Sequence, residues 1–202
     1  ENGEYNLSWG RYQVSAVGGK QKWEMVELGE VCEFMNGLWK GKKPPFQKVK
    51  VIRNTNFSKD GKLNLENVAE LEVEIKQFEK RVLQNGDIIL EKSGGGPKQP
   101  VGRVVLFDLK ENNYSFSNFT SSIRIRNKTK LLPFFLWACL NNLYQNGYTE
   151  NLQKQTSGIR NLDFNDYKSI KIPLPPLEIQ EKIVAELDGY QKIIGGAKQI
   201  IE

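Results

Sequence analysis

Asp87, Glu91 and Lys92, within GDIILEKS, are the charged residues whose spacing comes nearest to a reactive set. Two carboxylates and a lysine converging on one cleft would suit a magnesium-dependent nuclease. On a strand, however, successive side chains face opposite ways, so adjacent Glu91 and Lys92 would point apart. The chain contains no His, the commonest general base and metal ligand. Its two cysteines, Cys32 and Cys139, are widely separated and have no His to join them, which argues against zinc. The stretch SGGGPKQP at 93–100 lacks the GxxxxGK[ST] order of a phosphate cradle, and Pro97 removes a backbone donor where one is needed. These residues predict no catalytic residue, no metal site and no directly bound cofactor. An independent nuclease is the weakest functional reading.

Binding chemistry is better represented. Residues 40–53, KGKKPPFQKVKVIR, hold six basic residues and no acidic one, whereas residues 66–79 carry five Glu and one Lys. That contrast predicts a basic side. On it, Lys40, Lys42, Lys43, Lys48 and Lys50 could meet phosphates, while Arg53, Asn54, Asn56 and Ser58 offer donors and acceptors to base edges. Arg124 and Arg126, followed by Lys128 and Lys130, form a second basic cluster, and Lys92 and Lys98 bracket the Gly-rich stretch. A third lies in QKQTSGIRNL at 153–162, where Lys154, Thr156, Ser157, Arg160 and Asn161 surround Gly158. Such polar groups could follow a groove or cap local turns. Any one of these lysines is more readily a solvated surface residue; taken together they favour a nucleic-acid partner. KPPF at 43–46 resembles the catalytic tetrapeptide of adenine methyltransferases only in its Pro-Pro-aromatic part. Lys43 stands where Asn or Asp should accept from the target amine.

The elements that must position these residues are partly visible. The 202 residues, 39% hydrophobic, are enough for one substantial core, with or without an extension. A net charge of +5 is a weak excess and is common among plain soluble proteins. Residues 1–22 read as a polar leader or linker. From Trp23 to 174 the pattern predicts a mixed α/β or α+β domain with a curved sheet. WEMVELGEVCEF alternates loosely and turns at Asn36-Gly37; VKVIRNTNF is a strand opening into an Asn-rich loop; SKDGKL turns at Asp60-Gly61. Ile88–Leu90 is a short strand after the Asn85-Gly86-Asp87 turn, and Gly94 to Gly96 read as a flexible loop. VGRVVLFD and SSIRIRN are further strands, the latter with Ile123 and Ile125 on one face and Arg124 and Arg126 on the other. LPFFLWACLNNLYQN is a helix, with Pro133 in its first turn and Gly147 as its stop.

Residues 175–202 differ in character. After IPLPP, the residues Ile183, Leu187, Tyr190, Ile194, Ala197 and Ile201 recur at spacings of four, three, four, three and four, the rhythm of a coiled-coil seam. A helix of that length would reach about 40 Å at 1.5 Å per residue. Gly189, Gly195 and Gly196 each cost about 1 kcal/mol relative to Ala in a helix interior, so packing against a partner must compensate or the helix bends. Folding back onto the domain's own core is the alternative.

Four motifs together resemble one half of a type I restriction-modification DNA specificity subunit: WxxVxLGEV at 23–31, GDIIL at 86–90, TSGIRNL at 156–162 and IPLPPLEIQEKIV at 172–184. The resemblance covers roughly residues 23–202, and the last motif is its most specific part. It implies a globular target-recognition domain that reads one part of a split site in double-stranded DNA. It also implies a following helix that packs antiparallel against another as a spacer. The expected partners are an adenine methyltransferase subunit or fused domain, which would bind S-adenosylmethionine, a restriction or translocase subunit, and a second specificity half or a second copy of the chain. The polar start EYNLSWGRY resembles the tail of the methyltransferase in fused enzymes. With no initiator Met and an end within a helix, the chain reads as part of something longer. The non-DNA alternative is a protein-protein scaffold of a modification complex. Two Cys far apart, no apolar run of membrane-spanning length and no signal-like start point to the cytoplasm and no membrane.

Overall fold

The computed structural model describes residues 23–96, 99–156 and 159–201. In chain order its strands and helices are β1 (Met25–Glu27), α1 (Leu28–Val31), β2 (Cys32–Asn36), β3 (Phe46–Ile52), β4 (Ala69–Glu74), α2 (Ile75–Glu79), β5 (Asp87–Glu91), β6 (Ser93–Gly95), β7 (Val104–Phe107), β8 (Tyr114–Phe116), β9 (Thr120–Ile125), α3 (Pro133–Gln145), β10 (Gln153–Thr156), β11 (Ile159–Leu162), α4 (Phe164–Lys168), β12 (Lys171–Pro173) and α5 (Leu177–Ile201). Single 3-10 turns lie at Asn54–Asn56 and Tyr148–Leu152. The leader at 1–22 lies outside the described residues.

The scaffold is a four-stranded antiparallel sheet in the order β2-β9-β5-β7. Strand β5 is buried along its whole length, and its side chains alternate between two cores. Ile88 and Leu90 enter the larger one, beneath Leu136 and Leu140 of α3, while Ile89 enters a second with Ile52, Phe107 and Phe116. Burial on both faces explains why DIILE has a continuous apolar centre where a half-exposed strand would alternate. Truncating a side chain such as Leu136, fully buried on the inner face of α3, should cost about 2–5 kcal/mol through weaker packing and the cavity left behind. Helix α3 starts with Pro133 in its first turn and is followed by Gly147 at φ +75°, as its sequence predicts.

A second sheet, β4-β3-β8, packs across the other core. Here the structure corrects the expected basic side. The basic run and the acidic run are antiparallel neighbours, with Lys48 opposite Glu72, Lys50 opposite Glu70 and Phe46 opposite Glu74. Opposite charges on facing strands stabilise the pairing by a few tenths to about 1 kcal/mol per pair. The two blocks that seem segregated in sequence therefore offset each other in space. The predicted flexible loop at 94–96 is also corrected: Ser93–Gly95 forms β6, held by β11 in a third sheet ordered β10-β11-β6.

The proline-rich passage from β12 into α5, Pro173 to Pro176, has a concrete anchor. Gln180, fully buried, accepts from the Leu132 N–H at 2.9 Å and donates to the Lys130 and Pro175 carbonyls at 2.8 Å each. Its amide thus ties the first turn of α5 to the start of α3, and its oxygen meets the Leu132 N–H, one of the donors that a helix N-terminus leaves unpaired. Ile183 and Val184 then pack against the larger core, so the core extends onto α5 as far as Val184.

Candidate nucleic-acid interface

The two ends of β5 each hold a buried carboxylate gripped by an arginine. At the first end, Asp87 accepts from Arg124 Nε at 2.8 Å and Nη2 at 2.7 Å, and from the Gln84 N–H at 2.8 Å. Arg124 also donates to the Val82 carbonyl at 2.9 Å. At the second end, about 13 Å away for five residues of strand, Glu91 accepts from Arg103 Nε at 2.7 Å and Nη2 at 3.0 Å. Both carboxylates are fully buried. Each is held by two parallel donors, the strongest geometry for such a pair. Neither carboxylate is therefore placed for metal chemistry, and among the described residues no cluster of three or more acidic, Cys or His residues could hold a metal ion.

The surroundings of the two ends differ. The Asp87 end is closed: Lys128 Nζ donates to the Asn85 carbonyl at 2.7 Å. Beside it, Asn85, Gly86, Leu132, Pro133, Phe134 and Val184 line an apolar groove of about 290 Å³. This is the end from which α5 departs. The Glu91 end is open. Arg103 donates there to the carbonyls of Asn54 and Phe57 at 3.1 Å each, tying the Asn54–Asn56 turn to the sheet. Asn54 Nδ2 in turn donates to Glu91 Oε1 at 3.1 Å. Around this turn lie the β8–β9 connection, the segment after β2, and β6 with the β10–β11 hairpin.

These elements bring together several sequence-predicted residues. Arg53 is exposed, and Asn54, Lys92, Arg160 and Asn161 are half-buried; Asn54 is bonded to Glu91, the residue before Lys92, and Arg160 and Asn161 pair with Gly95 and Ser93. Lys92 Nζ donates to Asn36 Oδ1 at 2.6 Å, and Ser93 Oγ to Asn161 Oδ1 at 2.6 Å. Burial holds the Lys92 ammonium below its ordinary pKa. Lys154 pairs with Asp163, whose carboxylate also caps α4 by accepting from the Asn165 and Asp166 N–H groups. The hydrogen bond from Lys154 holds the Asp163 carboxyl below its ordinary range, and Asp163 raises the Lys154 ammonium. Lys154 therefore also braces the hairpin. Thr156 ends β10, while Ser157 and Lys98 lie outside the described residues.

Other predicted residues do not join this surface. Asn56 is 3% exposed and holds its own turn: Oδ1 accepts from the Arg53 N–H at 2.9 Å, and Nδ2 donates to the carbonyls of Asn64 and Asn67 at 3.1 and 3.3 Å. Arg124 is committed to Asp87 at the closed end, and Arg126 pairs with Glu33 at 2.8 Å. Asn56 and Arg124 are thus structural anchors, in place of the DNA contacts that their residue types suggest. The exposed Lys42 and Lys43 sit beside Glu74, which accepts from both of their backbone N–H groups at 3.2 Å. Lys40 and Lys48 are exposed; Lys50 lies over the Tyr114 ring and donates to its hydroxyl at 3.4 Å, which raises its pKa. Residues that sequence reasoning missed include Asn36, Arg103 and two exposed aromatics, Trp39 at 64% and Phe119 at 44%. The available signal was a lone aromatic inside a polar turn, in GLWKGK and SNFTS.

The two cysteines are inert by position. Both are buried, and desolvation pushes the Cys32 thiol up to about 12, offset in part by Arg126. Of the residues predicted to form a helix seam, Leu187 and Tyr190 are half-buried and Tyr190 donates to Glu186 at 3.1 Å. The side chains of Ile194, Ala197 and Ile201 lie outside the described ones.

The profile of the type I restriction modification DNA specificity domain matches residues 20–202. The chain belongs to that family. Two Methanocaldococcus jannaschii proteins are similar to it. One, assigned as the type I restriction enzyme MjaX specificity subunit, is 26% identical over 90% of this chain and 42% of its own length. The type I restriction enzyme MjaVIII specificity subunit is 27% identical over 90% of this chain and 39% of its own. The chain thus spans about two-fifths of the length of these specificity subunits. The fold is similar to the crystal structure of the HsdS subunit from Thermoanaerobacter tengcongensis, with a TM-score of 0.57, 22% identity, and coverage of 92% of this chain and 42% of that one. No helix among the described residues of this specificity domain is long and apolar enough to cross a membrane.

Proposed function

We propose that this specificity domain reads one part of a split site in double-stranded DNA and holds an adenine methyltransferase, with any restriction subunit, over that site. The chain itself supplies no catalysis in this reading, and S-adenosylmethionine belongs to the methyltransferase. The observation that carries it is the polarity of the β5 scaffold. Its open end carries Arg53, Asn54, Lys92 and Arg160 with the exposed Phe119 ring, and its closed end launches α5. Phosphate contacts from Lys92, Arg160 and Lys154 would fix register, and the Asn54–Asn56 turn would approach base edges. Each well-formed bidentate base contact discriminates by about 1–3 kcal/mol. Beyond the joint at 174–175, α5 is read as a spacer and dimerisation helix, with Leu187, Tyr190, Ile194, Ala197 and Ile201 on its seam. The fixed joint would set the angle between this reader and a second one. One recognition unit and its helix would account for two-fifths of a two-unit subunit. If the second unit is another copy of this chain, two-fold symmetry requires the two half-sites to be inverted repeats. The expected compartment is the cytoplasm.

Selection from random duplexes by the full chain with its methyltransferase, at a stated salt concentration because phosphate binding falls steeply with salt, tests this reading. Enrichment of a defined short sequence is the expected result. A complex that assembles but enriches nothing would instead make the chain a protein-protein scaffold.

A further inference from the structure

Gly94 stands between Asn54 and Phe119 at the open end. Its φ is +94°, and a Cβ there would lie 3.2 Å from Asn54 Nδ2 and 3.4 Å from Phe119 Cδ1. A side chain at this position would fill the gap between the amide and the ring. Both walls of the notch are held firmly. The Phe119 carbonyl accepts from the Lys92 and Ser93 N–H groups at 3.0 and 3.2 Å, and the Ser117 carbonyl accepts from the Thr120 N–H at 2.9 Å and Thr120 Oγ1 at 2.8 Å. The turn carrying Phe119 is thus pinned to the sheet, while its ring is 44% exposed. On the other wall, Glu91 takes one proton of the Asn54 Nδ2 group and Arg103 takes the Asn54 carbonyl, at 3.1 Å each. An amide nitrogen carries two protons, so the second proton and Oδ1 can still pair outward.

Asn is suited to adenine, with its amide oxygen accepting from N6 and its nitrogen donating to N7, and an apolar Phe edge is suited to the thymine methyl group. Resting on the DNA-reading function above, we propose that Asn54 and Phe119, facing each other across Gly94, contact an adenine–thymine base pair from the major groove. Glu91 and Arg103 are positioning residues: they do not touch the base but fix the direction of the Asn54 amide. Burying that ion pair carries a desolvation cost that apolar packing would avoid, and the oriented amide is what the pair adds.

The test is selection from random duplexes by the full chain with its methyltransferase, comparing wild type with Asn54→Ala, Phe119→Ala, Phe119→Leu and Arg103→Lys. The wild type should enrich a sequence containing an A·T pair at which Asn54→Ala and Phe119→Ala each reduce discrimination on the order of tenfold. Phe119→Leu, which keeps an apolar contact, should restore most of it, and Arg103→Lys should relax that same position. Leu71→Ser, a change at an exposed apolar residue of β4, should enrich the wild-type sequence. A wild type that enriches nothing overturns the DNA-reading function and this proposal together. A wild type that enriches a sequence which Phe119→Ala and Asn54→Ala both reproduce unchanged overturns this proposal alone. Because the Phe119 ring is exposed, its truncation carries the test even if Asn54→Ala disturbs the turn.

Discussion

The two ends of β5 use the same device for different ends. Asp87 with Arg124 and Glu91 with Arg103 are both buried, doubly bonded ion pairs at the ends of one strand. The first pair ties down residues 82–84 beside the α3–α5 joint, where Lys128 closes onto the Asn85 carbonyl and an apolar groove runs toward Val184. The second ties down the Asn54–Asn56 turn and leaves Arg53, the Asn54 amide and the Phe119 ring toward solvent. A buried ion pair is therefore weak evidence of function by itself. What separates the two is the chemistry that each one holds at the surface.

The largest expected effect would show the pairs to be alike. Asp87→Ala and Glu91→Ala each leave a guanidinium buried without its counter-charge and should lower stability by about 3–5 kcal/mol in urea unfolding. A loss below about 1 kcal/mol at Glu91 would mean that Arg103 finds another partner and that the open end is not built on this pair. Next comes the joint that marks the closed end. Gln180→Ala abandons three backbone groups, each costing about 1–3 kcal/mol if left unpaired, whereas Gln180→Glu should keep only the accepting half of the interaction. Unfolding midpoints of the two variants should both fall, with Ala the lower.

Charge reversal sharpens the contrast at smaller scale. Lys92→Glu or Arg160→Glu should weaken duplex binding and make the salt slope shallower by about one unit for each phosphate that is no longer neutralised. Arg126→Glu, which disrupts an exposed pair with Glu33, should leave the slope unchanged. Equal effects at all three would indicate diffuse attraction by net charge. The smallest effect concerns pH. Because the folded Asp163 pKa is depressed by Lys154 and the α4 amides, its contribution is fully present above the ordinary aspartate value of about 3.9 and is lost as pH falls through the lowered value. Exchange protection of the β11 amides should hold down to that range and decline only below it; a decline beginning near neutral pH would assign the hairpin to other groups.

Local signals in the sequence were reliable where structure is local. The apolar centre of DIILE, the Pro133 start and Gly147 stop of α3, and the Asp60-Gly61 and Asn85-Gly86 turns all follow from short apolar runs and backbone freedom; Gly61 and Gly86 indeed take φ of +78° and +90°. The open end was only half legible. Asn54, Lys92 and Arg160 stand out as polar or basic residues, but their neighbourhood depends on contacts spanning long stretches of chain, such as Asn54 with Glu91 and Ser93 with Asn161. The charge of 66–79 reads as an acidic block, and although AELEVE and KVKV both alternate, nothing local says that Glu70 and Glu72 will face Lys50 and Lys48. Likewise, three glycines look like a loop until β11 supplies the hydrogen bonds that make Ser93–Gly95 an edge of a sheet. The three prolines of IPLPPLEIQ mark in sequence where the domain passes into α5, but the role of Gln180 emerges only when Lys130 and Leu132 are brought to it.

The most direct test of the division between the two ends is hydrogen exchange of the chain in its methyltransferase complex, with and without a duplex carrying the selected sequence. Exchange should slow at residues 53–56 and 117–120 and stay unchanged at residues 82–86 and 127–131. Slowing confined to 82–86 and 127–131 would place the DNA at the closed end and contradict that division.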